Sequence, residues 1–373
     1  MSVSCRLALL LLTVLALPAL LAEPARAKPL AISDALNRKV VVDVPAKRVV
    51  LGFNFEDFTA IAGADGWKRV VGISKNPWAG WRPANWARYQ QVIPALKTMP
   101  DVGYSEDNTF SAEKVIALKP DVLILPEGSF KVLGTAVQQI TQAGIPIVVI
   151  DYNAQTLERH LASTRAIGAV MGSNIRAEEL AQQYQRKYRD ILRRVALAKS
   201  SSKPRVYVEL GRDGADSVGN TYRDTMWGKL LDTLGADNLA NGRIAANWGP
   251  LNPEAVLAAQ PDYIFIAGSS WVNRPKAVKL GYDHSAADAR ASLQAYLGRP
   301  GWSSLPAVRQ QHVYAIEHGL CRSLNDYTAM AFIAKQLYPA QFADVDPLAE
   351  LRQYHQRYLP VAYSGSWLLG LKP

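Results

Sequence analysis

Short runs of consecutive apolar residues recur along the chain, and helix-forming stretches separate them. The first run follows Arg48, and the others begin at Val70, Val122 and Ile145 in the first half and at Val206, Tyr263 and Val313 in the second. Because these runs do not alternate apolar with polar residues, each strand is expected to be buried on both faces. The pattern therefore predicts parallel sheets covered by helices.

One pattern occurs twice. Residues 111–125 and 252–266 each begin with Ser or Asn, place Glu in the first helical turn, and continue through Pro-Asp into an apolar strand. Ser and Asn are favoured helix caps, and Glu is favoured just after them. A second matched pair, Gly63-Ala-Asp and Gly235-Ala-Asp, precedes these units in the same order. The repetition indicates two related α/β lobes, each Rossmann-like.

The segment between the halves differs from both. Residues 174–199 contain no Gly or Pro and are rich in Ala, Glu, Gln, Arg and Leu, which predicts a helix of roughly 25 residues, about 37 Å long. We therefore expect a first lobe over 28–158, a bridging helical segment over 159–202 and a second lobe over 203–373. Its last part, 341–373, should pack back over a lobe as helix and extended chain.

The first 27 residues have the form of a secretory signal peptide. One positive charge precedes the apolar run Leu7–Leu21, and Ala25-Arg-Ala27 supplies a small-x-small cleavage site. The run is short for a membrane span, although an uncleaved anchor is the alternative. Cys5 lies before the run and no Cys follows the cleavage site closely, which disfavours a lipoprotein. The sequence thus predicts an exported protein.

Composition narrows the function. The 373 residues are 49% apolar and 20% charged, with 42 Lys+Arg against 32 Asp+Glu, a formal charge of +10. This excess suits an anionic ligand, an anionic membrane surface or nucleic acid. The basic residues are dispersed, which disfavours nucleic acid. Two Cys exclude a disulfide framework, and they exclude Cys₄ zinc sites or iron–sulfur clusters built on this chain alone.

Several phrases together resemble the periplasmic substrate-binding proteins of ABC importers, most closely the group that takes up ferric siderophores, haem and cobalamin. The phrases are Pro45-Ala-Lys-Arg-Val-Val, Val70-Val-Gly-Ile, Met99-Pro-Asp-Val-Gly, Lys119-Pro-Asp-Val-Leu-Ile, Gly235-Ala-Asp-Asn, Gln260-Pro-Asp-Tyr-Ile and His312-Val-Tyr-Ala-Ile. The resemblance implies a periplasmic, monomeric protein with a ligand cleft between its lobes, little hinge motion and delivery to a membrane permease. It implies neither an enzyme nor an intrinsic cofactor.

Candidate ligand-binding residues lie in the loops that follow the predicted strands, where open parallel sheets bind ligands. Aromatic residues would form flat apolar walls, and Arg or His would donate to carboxylate, catecholate or hydroxamate oxygens. The candidates are Trp78, Trp81, Tyr104, Arg212, Trp248, Trp271, His318 and Arg322. We assign the neighbouring Trp86 to the core. The expected ligand is an anionic chelate of iron, most simply a ferric siderophore, with cobalamin and haem as alternatives.

Bare-metal and enzymatic sites fit the sequence less well. The five His, at 160, 284, 312, 318 and 355, include no i,i+4 pair, although His318 could complete an open coordination position of a chelated metal. The chain has no Gly-x-Ser-x-Gly elbow, P-loop or His-Glu-x-x-His. A secreted hydrolase is the alternative from a different functional class.

The resemblance also implies permease docking through one acidic residue on each lobe. The family pattern falls on Asp57 in the first half and on Asp224 in the second, with Glu56 as a substitute for Asp57. The competing interpretation is that both aspartates merely favour a helix N-terminus.

Overall fold

The structure, a computed structural model, describes residues 28–198 and 203–372. The predicted signal peptide therefore lies outside the described residues. Within them, no helix combines the length and the apolar character needed to cross a membrane.

Two α/β lobes are joined by two consecutive helices. The first lobe contains β1 (Lys28–Ser33), β2 (Lys39–Val44), β3 (Val49–Leu51), α1 (Phe55–Gly66), β4 (Val70–Ile73), α2 (Asn76–Ala79), α3 (Pro83–Val92), α4 (Ala112–Ala117), β5 (Val122–Pro126), α5 (Glu127–Val132), α6 (Gly134–Gln142) and β6 (Ile147–Ile150). The connecting helices are α7 (Leu157–Met171) and α8 (Asn174–Leu197). The second lobe contains β7 (Arg205–Leu210), β8 (Asn220–Tyr222), α9 (Met226–Thr233), β9 (Asp237–Asn238), β10 (Trp248–Pro250), α10 (Pro253–Ala259), β11 (Tyr263–Gly268), α11 (Ala286–Gln294), α12 (Pro306–Arg309), β12 (Val313–Glu317), α13 (Tyr327–Leu337), α14 (Pro347–Tyr358) and β13 (Leu368–Gly370).

Each lobe is built on one largely parallel sheet. The first sheet has the order β4-β3-β5-β6 and is parallel throughout. The second has the order β13-β12-β11-β7-β9, and within it only β13 runs antiparallel to its neighbour. The central strands are buried along their length, as their uninterrupted apolar runs predict. The predicted fold class is therefore confirmed.

The repeated sequence pattern takes the same structure in both lobes. Residues 111–125 form α4 and β5, and residues 252–266 form α10 and most of β11. The Ser111 hydroxyl accepts a hydrogen bond from the N–H of Lys114, and the Asn252 side chain accepts one from the N–H of Glu254. Both caps satisfy backbone donors that the first helical turn leaves unpaired.

The connecting helices pack against both lobes. Helix α7 contacts α1 and β6 of the first lobe. Helix α8 packs along α7 and also contacts α13 of the second lobe. Helix α8 has 24 residues, about 36 Å, and ends at Leu197 close to the predicted end at residue 199, which lies outside the described residues. The Arg176 guanidinium on α8 donates to the carbonyls of Ala60 and Tyr358. The bridge is therefore bonded to α1 in the first lobe and to the end of α14.

The C-terminal segment returns over the molecule as helix and extended chain, as expected. Helix α14 contacts both α13 and α1, so it touches each lobe, and β13 then joins the second sheet. The hydroxyl of Tyr358, the last residue of α14, lies 2.7 Å from a carboxylate oxygen of Glu179 and 2.8 Å from the amide oxygen of Gln183, both on α8, and can donate its one proton to either.

An aromatic cluster forms much of the first-lobe core. The Trp78 ring, on α2, stacks on Phe55 with centroids 4.6 Å apart, and meets Trp86 at 5.1 Å and Tyr89 at 5.0 Å edge to face. Trp67 packs beside Trp78 at 5.6 Å. Trp78 has no solvent exposure, and Trp86 has 9%, so the assignment of Trp86 to the core is confirmed.

We expect Trp78→Ala to lower the free energy of unfolding by about 3–5 kcal/mol, because it removes a fully enclosed ring and leaves a cavity. Urea unfolding followed by circular dichroism measures the loss. Trp248→Ala is the matched control: that ring is 54% exposed, so its truncation should change stability by less than about 1 kcal/mol. Equal losses in the two variants would contradict the packing described above.

Candidate functional site

A cleft lies where the carboxyl ends of the two sheets face each other. It encloses a cavity of about 360 Å³, within the range of small-molecule sites. Both lobes contribute to its lining, which consists of Trp81, Glu106, Asp107, Asn153, Leu210, Arg212, Asn220, Tyr222, Met226, Trp248, Trp271, His318 and Arg322.

The structure brings together six of the eight candidate residues in this lining. They are Trp81 from the first lobe and Arg212, Trp248, Trp271, His318 and Arg322 from the second. Five of them lie beyond the carboxyl ends of strands in the two parallel sheets, so the shared edge of each sheet accounts for their convergence, whereas Trp248 lies on β10, which pairs antiparallel with β8.

Tyr104 and Trp78 are the two exceptions. Tyr104 is 5% exposed and lies behind the wall, with its ring edge-on to Trp81 at 5.5 Å and its hydroxyl donating to Glu106 at 3.0 Å. The expectation that Trp78 faces the cleft is wrong. Helix α2 turns Trp78 into the core against Phe55, while Trp81, just beyond the helix, reaches the cleft.

Arg322 connects the lobes within the cleft. It ends a 3₁₀ turn, His318–Arg322, that follows β12 of the second lobe. Its guanidinium lies over two first-lobe rings, 5.2 Å from the centroid of Phe53 and 5.4 Å from that of Trp81. These cation–π contacts orient the guanidinium against the aromatic wall.

Arg212 is less constrained. Its side chain is 47% exposed and contacts Asp213 at 3.1 Å, and Asp213 also pairs with Arg274 at 2.9 Å. A neighbouring carboxylate therefore partly compensates the Arg212 charge before any ligand enters.

His318 lines the cleft next to Trp271 and Tyr222, with ring centroids 6.1 and 5.8 Å away. Its Nδ1 accepts a hydrogen bond from the indole N–H of Trp227 at 3.2 Å. Burial, together with the nearby Arg322 and Arg82, holds the pKa of His318 well below its ordinary value. The imidazole is neutral at physiological pH.

Seven lining residues were not predicted from the sequence. Glu106 and Asp107 add two carboxylates at the rim, so the cleft is less positive than its arginines alone imply. The others are Asn153, Leu210, Asn220, Tyr222 and Met226. Asn153, Leu210 and Tyr222 follow or end strands, which was the one signal in the sequence, whereas Asn220 begins β8, Met226 begins α9, and Glu106 and Asp107 lie in the loop before α4. Residue type alone did not distinguish these residues from other loop residues.

Asp57 is not a surface residue, so its predicted role in permease docking is wrong. It is 4% exposed, and its carboxylate accepts hydrogen bonds from the Leu324 N–H at 2.7 Å and from the Asn54 amide at 2.9 Å. The Asn54 amide also donates to the Arg322 carbonyl at 3.2 Å. The start of α1 is thereby bonded to the second-lobe turn that carries Arg322.

Glu56, the alternative to Asp57 for docking, is also bonded to side chains within the protein. Its carboxylate accepts from Arg82 and from the Asn85 amide, and its side chain is 18% exposed. Asp224, in contrast, is exposed beside the cleft and pairs with Arg223 at 2.7 Å. Of the acidic residues predicted for docking, only Asp224 is accessible.

A second buried carboxylate, Glu317, lies at the same seam. One of its oxygens accepts from Ser269 at 3.1 Å, and the other has no hydrogen-bond partner within residues 28–198 and 203–372. Burial raises the pKa of Glu317 to about 7, although the nearby Arg82 acts in the opposite direction. Burial likewise raises the pKa of Asp57 to about 7.

Among the described residues, no three His, Cys, Asp or Glu side chains gather closely enough to hold a metal ion.

Comparison with known proteins identifies similar chains over almost the whole length. The family model for "Periplasmic binding protein" matches residues 52–318. The TroA-like periplasmic binding protein FepB from Veillonella parvula has a similar structure, with a TM-score of 0.84, 35% identity and coverage of 91% of this chain and 99% of that one.

Two further relatives are more distant in sequence. An uncharacterised ABC transporter substrate-binding lipoprotein of Bacillus subtilis, YvrC, is 24% identical over 85% of this chain and 88% of its own. The molybdate-binding protein MolA of Haemophilus influenzae is 23% identical over 89% and 91% of the two chains. The structure of MolA bound to molybdate has a TM-score of 0.67.

The buried carboxylates predict a pH-dependent stability. Because the folded pKa of Glu317 exceeds its ordinary value of 4.5, the folded protein binds more protons than the unfolded chain between pH 4.5 and about 7. Stability should therefore fall as pH rises through this range, by at most about 1.4 kcal/mol per pH unit for this one proton. Glu317→Gln should remove this contribution, which urea titrations at several pH values would show as a shallower slope.

Glu113→Gln, which neutralises an exposed carboxylate in α4, is the control for surface charge. The same slope in Glu317→Gln as in the wild type would mean that Glu317 is not protonated on folding.

Proposed function

Because this chain belongs to the periplasmic binding protein family, we propose that it captures a metal chelate of the ferric siderophore type in its cleft. Members of the family are substrate-binding components of ABC transporters, and they act in transport without catalysis. The family membership leaves the hydrolase hypothesis without support. In the proposed role the chain, exported by a cleaved signal peptide, delivers the chelate to its permease.

The observation that carries the proposal is the combination of aromatic walls with donors of positive or neutral charge in one cavity. Trp81, Trp248 and Trp271 offer flat apolar surfaces, while Arg322 and Arg212 offer guanidinium groups. Guanidinium groups form strong, charge-assisted hydrogen bonds with anionic oxygens, and their planar faces stack on aromatic rings. A chelate with aromatic or amide arms and a negative charge uses both features.

A simple oxoanion would use the polar donors of the site but not its aromatic residues. MolA binds molybdate, so an oxoanion is the ligand that this relative suggests. A tetrahedral oxoanion requires donors that converge on one small volume, but here one arginine stacks on a wall and the other pairs with Asp213. The aromatic residues would contribute little to such a ligand, which favours the larger chelate. Cobalamin and haem, which also offer large flat surfaces, are the remaining candidate ligands.

We expect Arg322→Ala to weaken the binding of a ferric tricatecholate or trihydroxamate about 30-fold, since truncating a partly buried donor to a charged ligand costs about 2 kcal/mol or more. Arg212→Ala should have a smaller effect because this side chain is half exposed and already paired. Quenching of intrinsic tryptophan fluorescence measures the affinities, and Arg309→Ala, an exposed arginine outside the cleft, is the control.

The same titration with molybdate, haem and cyanocobalamin separates these ligand classes. If molybdate binds tightly and neither iron chelate quenches the fluorescence at micromolar concentration, the chelate proposal is wrong.

We also propose that Asp224 contacts the permease. The charge reversal Asp224→Arg should reduce chelate uptake by cells at least tenfold, while the affinity measured in solution stays within a factor of two to three of the wild type. Asp237→Arg is the matched control, because Asp237 is exposed at the amino end of the second sheet, away from the cleft. Normal uptake by the Asp224 variant would remove Asp224 from the docking surface.

A further inference from the structure

The two ring nitrogens of His318 have different surroundings. Nδ1 points into the second lobe, 3.2 Å from Nε1 of Trp227 and 4.0 Å from the sulfur of Cys321. Nε2 has no hydrogen-bond partner within the described residues, and it is not among their fully enclosed unpaired atoms. Since the ring lines the cleft, Nε2 is the nitrogen that a bound ligand meets.

The contact with Trp227 fixes the tautomer. An indole N–H can only donate, so Nδ1 must accept with its lone pair. A neutral imidazole that accepts at Nδ1 carries its proton on Nε2. Trp227 has no solvent exposure and lies in the first turn of α9, so no water is available to replace the indole as the partner of Nδ1.

This arrangement is the reverse of the usual metal-binding one. A histidine that ligates a metal through one nitrogen almost always donates the N–H of the other to a carboxylate, a carbonyl or water. In His318 the other nitrogen accepts instead. Ligation through Nε2 would move the proton to Nδ1, where it would oppose the N–H of Trp227. Among the described residues, its one remaining acceptor would be the sulfur of Cys321, 4.0 Å away and a weak acceptor.

We propose that His318 serves the cleft as an Nε2–H hydrogen-bond donor and not as a metal ligand, with Trp227 as the positioning residue that selects this tautomer. Resting on the proposed function, the inference also narrows the substrate class. The metal arrives with its coordination shell filled by its own chelator, and the chelate presents an acceptor oxygen to Nε2. Haem bound through His318, or a chelate with an open position for it, is disfavoured.

Other groups near the ring agree with this role. Arg322 and Arg82 place positive charge nearby, and together with burial they hold the pKa of His318 well below its ordinary value. A neutral donor therefore persists across the physiological pH range. Burial also raises the pKa of Tyr222, the phenol in the lining, so that without a ligand it presents a neutral hydroxyl to the cleft.

The direct test is the tautomer itself, measured on the wild-type protein without ligand. Two-bond ¹H–¹⁵N correlation spectra distinguish a protonated Nε2 from a protonated Nδ1, and His318→Gln identifies the His318 signals by their loss. We expect the Nε2–H pattern, unchanged between pH 6 and 8. An Nδ1–H pattern or an imidazolium signal in that range would overturn the assignment.

The second test uses binding. His318→Phe should weaken the binding of the ferric tricatecholate or trihydroxamate about tenfold, the usual effect of losing one hydrogen bond to a charged group, whereas His318→Gln, which keeps an amide N–H near the same point, should lose less than about threefold. Equal losses in both variants, or no loss in either, would contradict the donor role.

Haem provides the spectroscopic control. Added to the wild type, ferric haem should give no histidine-ligated absorption spectrum. Trp227→Phe removes the indole N–H but keeps an aromatic ring. This variant should therefore change the tautomer signal of His318. A histidine-ligated spectrum in the wild type that disappears in His318→Gln would overturn the proposal.

The two proposals fail separately. If the Nε2–H tautomer is observed but no iron chelate binds, the proposed function is wrong and the tautomer assignment stands. If a chelate binds and its iron shows imidazole coordination, the function stands and the inference about His318 is wrong.

Discussion

The cleft depends on how one turn of the second lobe is held against the first lobe. Residues 318–324 carry His318 and Arg322, and the backbone of this turn is bonded to two buried side chains at the start of α1. Asp57 accepts the N–H of Leu324, and Asn54 donates to the carbonyl of Arg322. Buried hydrogen bonds of this kind are costly to leave unmade, so the seam resists separation of the lobes.

Further contacts strengthen the same junction. His160 on α7 meets Asp326 at 2.7 Å, with both side chains fully buried, and the Asn153 carbonyl accepts from the N–H of Met226 and the hydroxyl of Thr225. Helix α14 also contacts both lobes, so several separate parts of the chain cross the junction. This construction agrees with the small hinge motion that the family resemblance implies, and it places Trp81 and Arg322 in contact before a ligand enters.

Rigidity of this kind has a consequence for recognition. A preformed cleft avoids part of the ordering cost of binding, so its donors act on the ligand without first rearranging. The donors are of two kinds: the guanidinium groups of Arg322, over aromatic rings, and of Arg212, beside Asp213; and a neutral imidazole whose proton position is set by a buried indole. The carboxylates at the rim, Glu106 and Asp107, limit how much negative charge the cleft accepts.

The sequence by itself determined the two α/β lobes, their parallel sheets, the long helix between them and the loops from which the cleft is built, because runs, caps and periodicity act over short stretches of chain. Only the tertiary structure decided which residues of those loops face a ligand. Trp78 and Trp81 are three positions apart, yet packing against Phe55 buries one and leaves the other in the cleft. Asp57 has the local pattern of a helix N-terminus, but its partner is Leu324, 267 positions away. The proton position of His318 likewise depends on Trp227, 91 positions away. Side-chain burial and hydrogen-bond partners are set by such long-range contacts, which local pattern does not encode.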